Sequence, residues 1–374
     1  MDKKIKIVFT GGGTGGHLMP LISVIREIKK LSNPNTITLY YLGPKDKNAF
    51  ELLSKEGVII YSILAGKIRR YFSFKNIIDI FFTIPLGFLQ SFFILLFINP
   101  KLIFSKAGGG SSVVCLSAKI INIPIFLHES DSVLGLSNRL ASSFAKKIFT
   151  SFEITEGVNT SKAIFVGNPI RQELLNGNKE EARTLFNITS SKPVILISGG
   201  SQGAESINDF IVSILNDLLH YYEVIHISGV KNYQKTKTES NSIFILNPEL
   251  KANYHLYDSL NEVQLKNAYA VANLVVSRAG AGNIFEISAI GKPSILIPLP
   301  TSASNHQLKN AYQHSDSGAS MTLEQANLTH HFFMGQIDYL LSKSEKMSAS
   351  ALQFAKPKAG EKIAQEILEF LKVT

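Results

Sequence analysis

The chain has 374 residues, 45% of them hydrophobic and 18% charged, with one cysteine, Cys115. That much apolar surface excludes intrinsic disorder, and a single cysteine excludes a disulfide framework or a cysteine-based zinc site and suits a reducing compartment. Residues 1–168 carry a net charge of +10 and residues 169–374 a net of −1, so one half is suited to an anionic surface or ligand.

In chain order, Ile5 to Thr10 has the character of a buried strand. It is too short for a signal-peptide core and runs into Gly11-Gly12-Gly13-Thr14-Gly15-Gly16-His17, then into a helical pattern from Leu21 to Leu31. Strands are expected at Ile37 to Leu42, Leu102 to Ser105 and Ile125 to His128. Between them, Ile80 to Ile98 holds no charge over 19 residues, long enough for a membrane span. Pro85, Gly87 and Gln90 interrupt it, and strand–helix alternation resumes at Leu102. The expectation is therefore a helix pair, partly core and partly an exposed apolar patch, beside the basic residues Lys67, Arg69, Arg70 and Lys75. That composition suits a peripheral membrane surface.

The second half repeats the plan. Pro193 to Ser198 is strand-like, followed by Gly199-Gly200-Ser201-Gln202-Gly203 and a helix through about Leu219. Further strands are expected at Val224 to Ser228, Leu274 to Ser277 and Ser294 to Ile297, and an amphipathic helix at Glu361 to Lys372. Strand, glycine turn and helix in series predict parallel α/β units, here two doubly wound domains with a seam near Gly167-Asn168-Pro169.

Gly11, Gly13 and Gly16 satisfy G-x-G-x-x-G, but the second strand ends in Tyr41-Leu42-Gly43 without the acidic residue a dinucleotide ribose needs. No glycine loop ends in Gly-Lys-Ser/Thr, and no Asp-x-Asp pair is present to hold a metal on a diphosphate. A diphosphate would have to be met by backbone N–H groups and by Arg171 or Arg278, which favours chemistry without a metal or other cofactor. The histidines show no metal-binding spacing. His17 ends the first glycine loop and is the candidate general base, with Glu129 and Asp131 as alternatives.

GGGTGGH at Gly11 to His17, HES at His128 to Ser130 followed by Gly135-Leu136 and Asn138, GNPIR at Gly167 to Arg171, GGSQGA at Gly199 to Ala204 and SRAGA at Ser277 to Ala281 occur in that order. With Gly291-Lys292-Pro293 and His306-Gln307, they closely resemble the MurG family of N-acetylglucosaminyltransferases. The resemblance implies an α/β GT-B fold, two Rossmann-like parallel-sheet domains facing across a cleft. Residues 1–168 would form the acceptor and membrane side and residues 169–349 the donor side, with a C-terminal helix in about 350–374 packing back on the first domain. It implies inverting transfer of GlcNAc from UDP-GlcNAc to the 4-hydroxyl of undecaprenyl-pyrophosphoryl-MurNAc-pentapeptide, at an anionic membrane surface on the cytoplasmic face of the cell membrane and without nucleic acid.

By the same resemblance, Thr14, Gly15 and Gly16 lie against the donor. Arg171 and Ser201 serve the donor diphosphate, Gln202 also binds substrate, Glu286 takes the uridine ribose hydroxyls, and Gln307 the sugar. Ser130-Asp131 stands where relatives often carry Gln-Asn. Two other readings remain open: a related enzyme for another lipid acceptor such as diacylglycerol, and a nucleotide- or nucleic-acid-binding protein without transferase chemistry. Transfer should persist in excess EDTA; activity abolished by the chelator and restored by magnesium or manganese would refute the metal-free expectation.

Overall fold

The computed structural model describes residues 4–12, 15–66, 74–200 and 203–373. The chain divides into two units, Met1–Ile170 with Lys356–Thr374, and Arg171–Ala355.

The first unit begins with β1 (Ile5–Gly12), α1 (Gly15–Leu31), β2 (Ile37–Pro44), α2 (Lys47–Lys55) and β3 (Ile59–Ile63). It continues with α3 (Phe74–Ile78), α4 (Ile84–Ile98), β4 (Leu102–Gly108), α5 (Ser111–Ile120), β5 (Ile125–Glu129), α6 (Leu136–Ser142), β6 (Lys147–Thr150) and β7 (Ala163–Phe165). The seven strands are parallel, in the order β3-β2-β1-β4-β5-β6-β7. Parallel strands covered on both faces become continuous apolar runs, and alternate side chains of β1 enter two cores. Ile7 and Phe9 pack with Leu21, Ile25 and Ile28 of α1, whereas Val8 packs with Ile103 and with Val113 and Val114 of α5.

The second unit contains α7 (Lys179–Leu185), β8 (Val194–Ser198), α8 (Glu205–Ser213), α9 (Leu215–Tyr221), β9 (Glu223–Ile227) and α10 (Tyr233–Leu246). Then come β10 (Tyr254–Tyr257), α11 (Glu262–Val271), β11 (Leu274–Ser277), α12 (Ala281–Ala289) and β12 (Ser294–Leu296). It ends with α13 (His306–Asp316), β13 (Ser320–Thr322), α14 (His330–Ser342) and α15 (Ser344–Phe354). Its six parallel strands run β10-β9-β8-β11-β12-β13. Here too two cores flank the sheet. The helix expected through Leu219 breaks at Ile214, whose backbone (φ −110°, ψ 3°) leaves the helical region.

The chain returns to the first unit for α16 (Ala359–Leu371). Ile363, Ala364, Ile367 and Leu368 recur at helical spacing and are buried in the core that holds α1. Lys147 Nζ also meets Glu366 Oε2 at 2.5 Å.

The apolar run is one helical stretch rather than the expected pair. A five-residue π segment, Asp79–Thr83, joins α3 directly to α4. On α4 the buried residues are Gly87, Ser91, Leu95 and Ile98, spaced to lie on one face. A Cβ at Gly87 would collide with the Leu64 carbonyl oxygen, and Leu64 N donates to Gln90 Oε1 at 2.8 Å. Ser91 Oγ lies 2.6 Å from Ser117 Oγ of α5. Gly87 and Gln90, which interrupt the apolar pattern, are thus residues that dock the helix. Phe81, Phe82, Leu86, Leu89, Phe93, Leu96 and Phe97 are left exposed. Asn76–Ile98 is long and apolar enough to cross a membrane by length and composition, with a mean hydropathy of 2.1.

Because α16 fills a fully buried core, Ile367→Ala should cost the first unit about 2–5 kcal/mol. Hydrogen exchange should then show weakened protection in β1 and α1 while β8 and β11 stay protected.

Candidate functional site

In the first unit the strand ends converge on two glycine turns. Gly12 of β1 is the register partner of Gly108 of β4, beyond an irregularity after Thr10. Gly108 has φ +93°, and a Cβ there would collide with the Gly12 carbonyl oxygen. Gly108 can therefore carry no side chain where the two backbones meet. Tyr41, fully buried on β2, donates from its hydroxyl to the Gly11 carbonyl and holds the first turn from below. Thr14 lies outside the described residues. Gly15 and Gly16 form the first turn of α1, which has no acidic residue there. Its leading N–H groups and dipole favour an anion.

His17 follows on that turn. Its Nδ1 lies 3.1 Å from the carbonyl oxygen of Lys106. A carbonyl only accepts, so Nδ1 carries the proton and the basic nitrogen of the neutral ring is Nε2.

Glu129 closes β5, and its carboxylate organises the loop that follows. Oε1 accepts from Asp131 N at 3.1 Å. Oε2 accepts from Gly135 N at 2.9 Å and from Asn138 Nδ2 at 3.0 Å. Burial first and the Asp131 charge second push its pKa up, against Gly135 N, Lys106 and Asn138. His128 is fully buried, with Nε2 3.2 Å from the Gly167 carbonyl. Burial and the Lys106 charge hold its pKa well below the usual value, so the ring is neutral.

Sequence reasoning passed over Lys106. A lysine at the end of a strand ordinarily reads as a solvated charge. Here it is 1% exposed and donates from Nζ to Ser130 Oγ.

In the second unit, β8 ends at the Gly199-Gly200 turn; Ser201 and Gln202 lie outside the described residues. Arg278, after β11, donates to the carbonyls of Ile297 and Pro298 at 3.2 and 3.1 Å, and to Ser206 Oγ and Gln325 Oε1, both at 2.9 Å. It braces the loop after β12, the first turn of α8 and the turn at Gln325.

Arg171 and Glu286, 115 positions apart, are brought together. Arg171 Nε meets Glu286 Oε1 at 2.9 Å and Nη2 meets Oε2 at 2.8 Å, a two-pronged pair with both side chains largely buried. Burial opposes the Arg171 charge, but the carboxylate outweighs it and holds the guanidinium pKa above its ordinary range. Gln307, in the first turn of α13, accepts at Oε1 from Leu299 N at 3.0 Å, so its amide nitrogen is the remaining donor. Among the described residues no group of three His, Cys, Asp or Glu is arranged to hold a metal ion.

Residues 7–150 match the glycosyltransferase family 28 N-terminal domain and residues 194–367 the glycosyltransferase family 28 C-terminal domain. The chain is 35% identical over 345 residues to the UDP-N-acetylglucosamine–N-acetylmuramyl-(pentapeptide) pyrophosphoryl-undecaprenol N-acetylglucosamine transferase of Clostridium tetani, covering 92% of each chain. It is also 35% identical to the transferase of the same name from Treponema denticola, covering 98% of this chain and 97% of the other. Among solved structures, MurG of Acinetobacter baumannii superposes with a TM-score of 0.74 at 21% identity, covering 98% of this chain and 99% of that one.

The Arg171–Glu286 pair makes a stability prediction of its own. Arg171→Ala strands a carboxylate in a mostly buried site and should cost about 3 kcal/mol. Adding Glu286→Gln should recover more than half, as a double-mutant cycle by denaturant unfolding would register.

Proposed function

The chain belongs to glycosyltransferase family 28, and from that premise we propose how its two units divide the chemistry. The enzyme moves N-acetylglucosamine from UDP-N-acetylglucosamine to lipid-linked N-acetylmuramyl-pentapeptide in peptidoglycan synthesis. The observation that carries this reading is the identity of about one third that runs along nearly the whole chain to transferases of that name.

In our reading the second unit holds the donor. Ser201, Gln202 and the turn after β8 meet the diphosphate together with Arg171. Glu286 takes the ribose hydroxyls, which suits a carboxylate that accepts two hydrogen bonds. Gln307 offers its amide nitrogen to the sugar. Since Arg171 and Glu286 bind each other, UDP supplies each with a ligand group while the pair keeps both in place.

The first unit supplies the acceptor side, and from it Thr14, Gly15 and Gly16 reach the donor. The 4-hydroxyl of the MurNAc sugar attacks the anomeric carbon in line, its proton passes to Nε2 of His17, and UDP leaves with inversion. Glu129 spends its carboxylate on the loop amides and on Asn138, so we assign it to shaping the Ser130–Asp131 turn rather than to proton transfer. Preorganised N–H dipoles and Arg171 stabilise the charge that develops on the leaving diphosphate.

The exposed aromatic face of the Asp79–Thr83 segment and α4 supports attachment to a membrane, alongside the +10 charge of residues 1–168. Lys67, Arg69 and Arg70 lie outside the described residues, as does the side chain of Lys75. Apolar burial and basic attraction to anionic lipid add.

Labelled GlcNAc should pass from its UDP donor to lipid-linked MurNAc-pentapeptide; transfer only to diacylglycerol would overturn the acceptor assignment. His17→Ala should lower kcat roughly 10²–10⁴-fold with UDP affinity retained, whereas Arg171→Ala should weaken UDP binding by about 1.5–3 kcal/mol in calorimetry. Sedimentation with anionic vesicles should fall for Phe93→Glu with Phe97→Glu, and high salt should reverse the wild-type binding in part.

A further inference from the structure

Lys106 is the one residue described above that touches both loops assigned to the acceptor side. Its carbonyl oxygen holds Nδ1 of His17, and its ammonium donates to Ser130 Oγ in the turn that ends in Asp131. We propose that Lys106 is a positioning residue for transfer: its carbonyl sets the His17 ring and its buried charge fixes the Ser130–Asp131 turn. This rests on the assignment of His17 and that turn to the acceptor side.

Three observations support it. The first is burial. An ammonium taken out of water is costly unless well paired, and an apolar side chain of similar length would serve packing better. Among the described residues its only hydrogen-bond partner is Ser130 Oγ. Such a group is retained for what it does to its neighbours. The second is backbone geometry. Ala107, the next residue, sits at φ +62° in the left-handed region, where a residue with a Cβ is strained. That left-handed residue lies within β4, just after the carbonyl that His17 uses.

The third is the charge around the ammonium. Glu129 and Asp131 face it from β5 and the turn beyond, His128 from β5, and His17 borders its carbonyl from α1. β1 contributes only Thr10, Gly11 and Gly12 at this level. Desolvation lowers the Lys106 pKa to about 8, and the two carboxylates oppose that shift. The ammonium is therefore charged at neutral pH and loses its charge just above it, while a lysine in the unfolded chain stays charged to higher pH. A depressed lysine pKa means that the folded state gains stability as pH rises through that interval. Removing the charge should accordingly leave the fold no weaker at pH 7.

The test compares wild type, Lys106→Met, Lys106→Arg and Ser130→Ala in GlcNAc transfer to lipid-linked MurNAc-pentapeptide across pH 6–10. Wild type should lose kcat on the alkaline side with a midpoint near 8. Lys106→Met should lower kcat 10- to 100-fold, lose that alkaline limb, keep the KM for UDP-GlcNAc within twofold and melt no lower than wild type. Lys106→Arg should regain part of kcat and move the limb beyond pH 9. Ser130→Ala keeps the charge and should show a smaller loss with the limb retained; it carries the test if Lys106→Met does not fold. Wild-type kcat and pH profile in Lys106→Met, or wild-type kcat in Ser130→Ala, would overturn the proposal. A wild type that transfers no GlcNAc to this acceptor would instead overturn the functional reading, and the Lys106 assignment with it.

Discussion

Gly12 and Gly108 are partners at the ends of neighbouring parallel strands, and their backbones approach so closely that no side chain fits between them. Much of the first unit's site depends on that contact. It brings the turn leading into α1 beside the turn after β4, so the residues flanking each glycine become neighbours: His17 on one side, Lys106 on the other. A side chain at Gly108 would push the strands apart at their ends while the apolar sheet beneath stayed paired. The chemistry would then be lost before the fold.

Much of the architecture was visible in the sequence, for a physical reason. Central parallel strands are covered on both faces, so β1, β4, β8 and β11 read as largely apolar runs followed within a few residues by glycines. The expected strands there match within a few residues. β3, β6, β10 and β13 were not anticipated. They lie at sheet edges or are only three to five residues long, and they carry exposed or polar positions that weaken the pattern. The α4 helix misled in another way: Gly87 and Gln90 looked like breaks in a membrane span but are the groups that seat the helix on the Leu64 backbone.

The site was visible as motifs but not as interactions. Arg171 and Glu286 were each singled out as ligand-binding residues; nothing in their spacing announces that they hold each other. Glu129 was named for acid–base work, and only its three partners reveal a carboxylate committed to loop geometry. Arg278 stood out as a cation beside a glycine turn, yet four hydrogen bonds make it a brace. Lys106 carried no signal at all, because a buried lysine and a solvated one look alike in a sequence. In each case the missing information is burial and partner geometry, which residue type and spacing do not encode.

The return of α16 to the first unit bears on how the protein is made. Ile363, Ala364, Ile367 and Leu368 complete a core whose other buried members lie at or before Val166 in the sequence, and the whole second unit is encoded between them. A ribosome adding about 5–20 residues per second spends roughly 10–40 s on Arg171 to Ala355 after the first sheet has emerged. Throughout that interval the face of α1 that α16 will cover stays open to solvent. The second unit, continuous in sequence, can fold as it is synthesised, whereas the first reaches its final packing only after the second is finished. The exposed aromatic helix α4 emerges early in the same interval, so a nascent chain presents two apolar surfaces at once, and only one of them has a partner waiting in its own sequence.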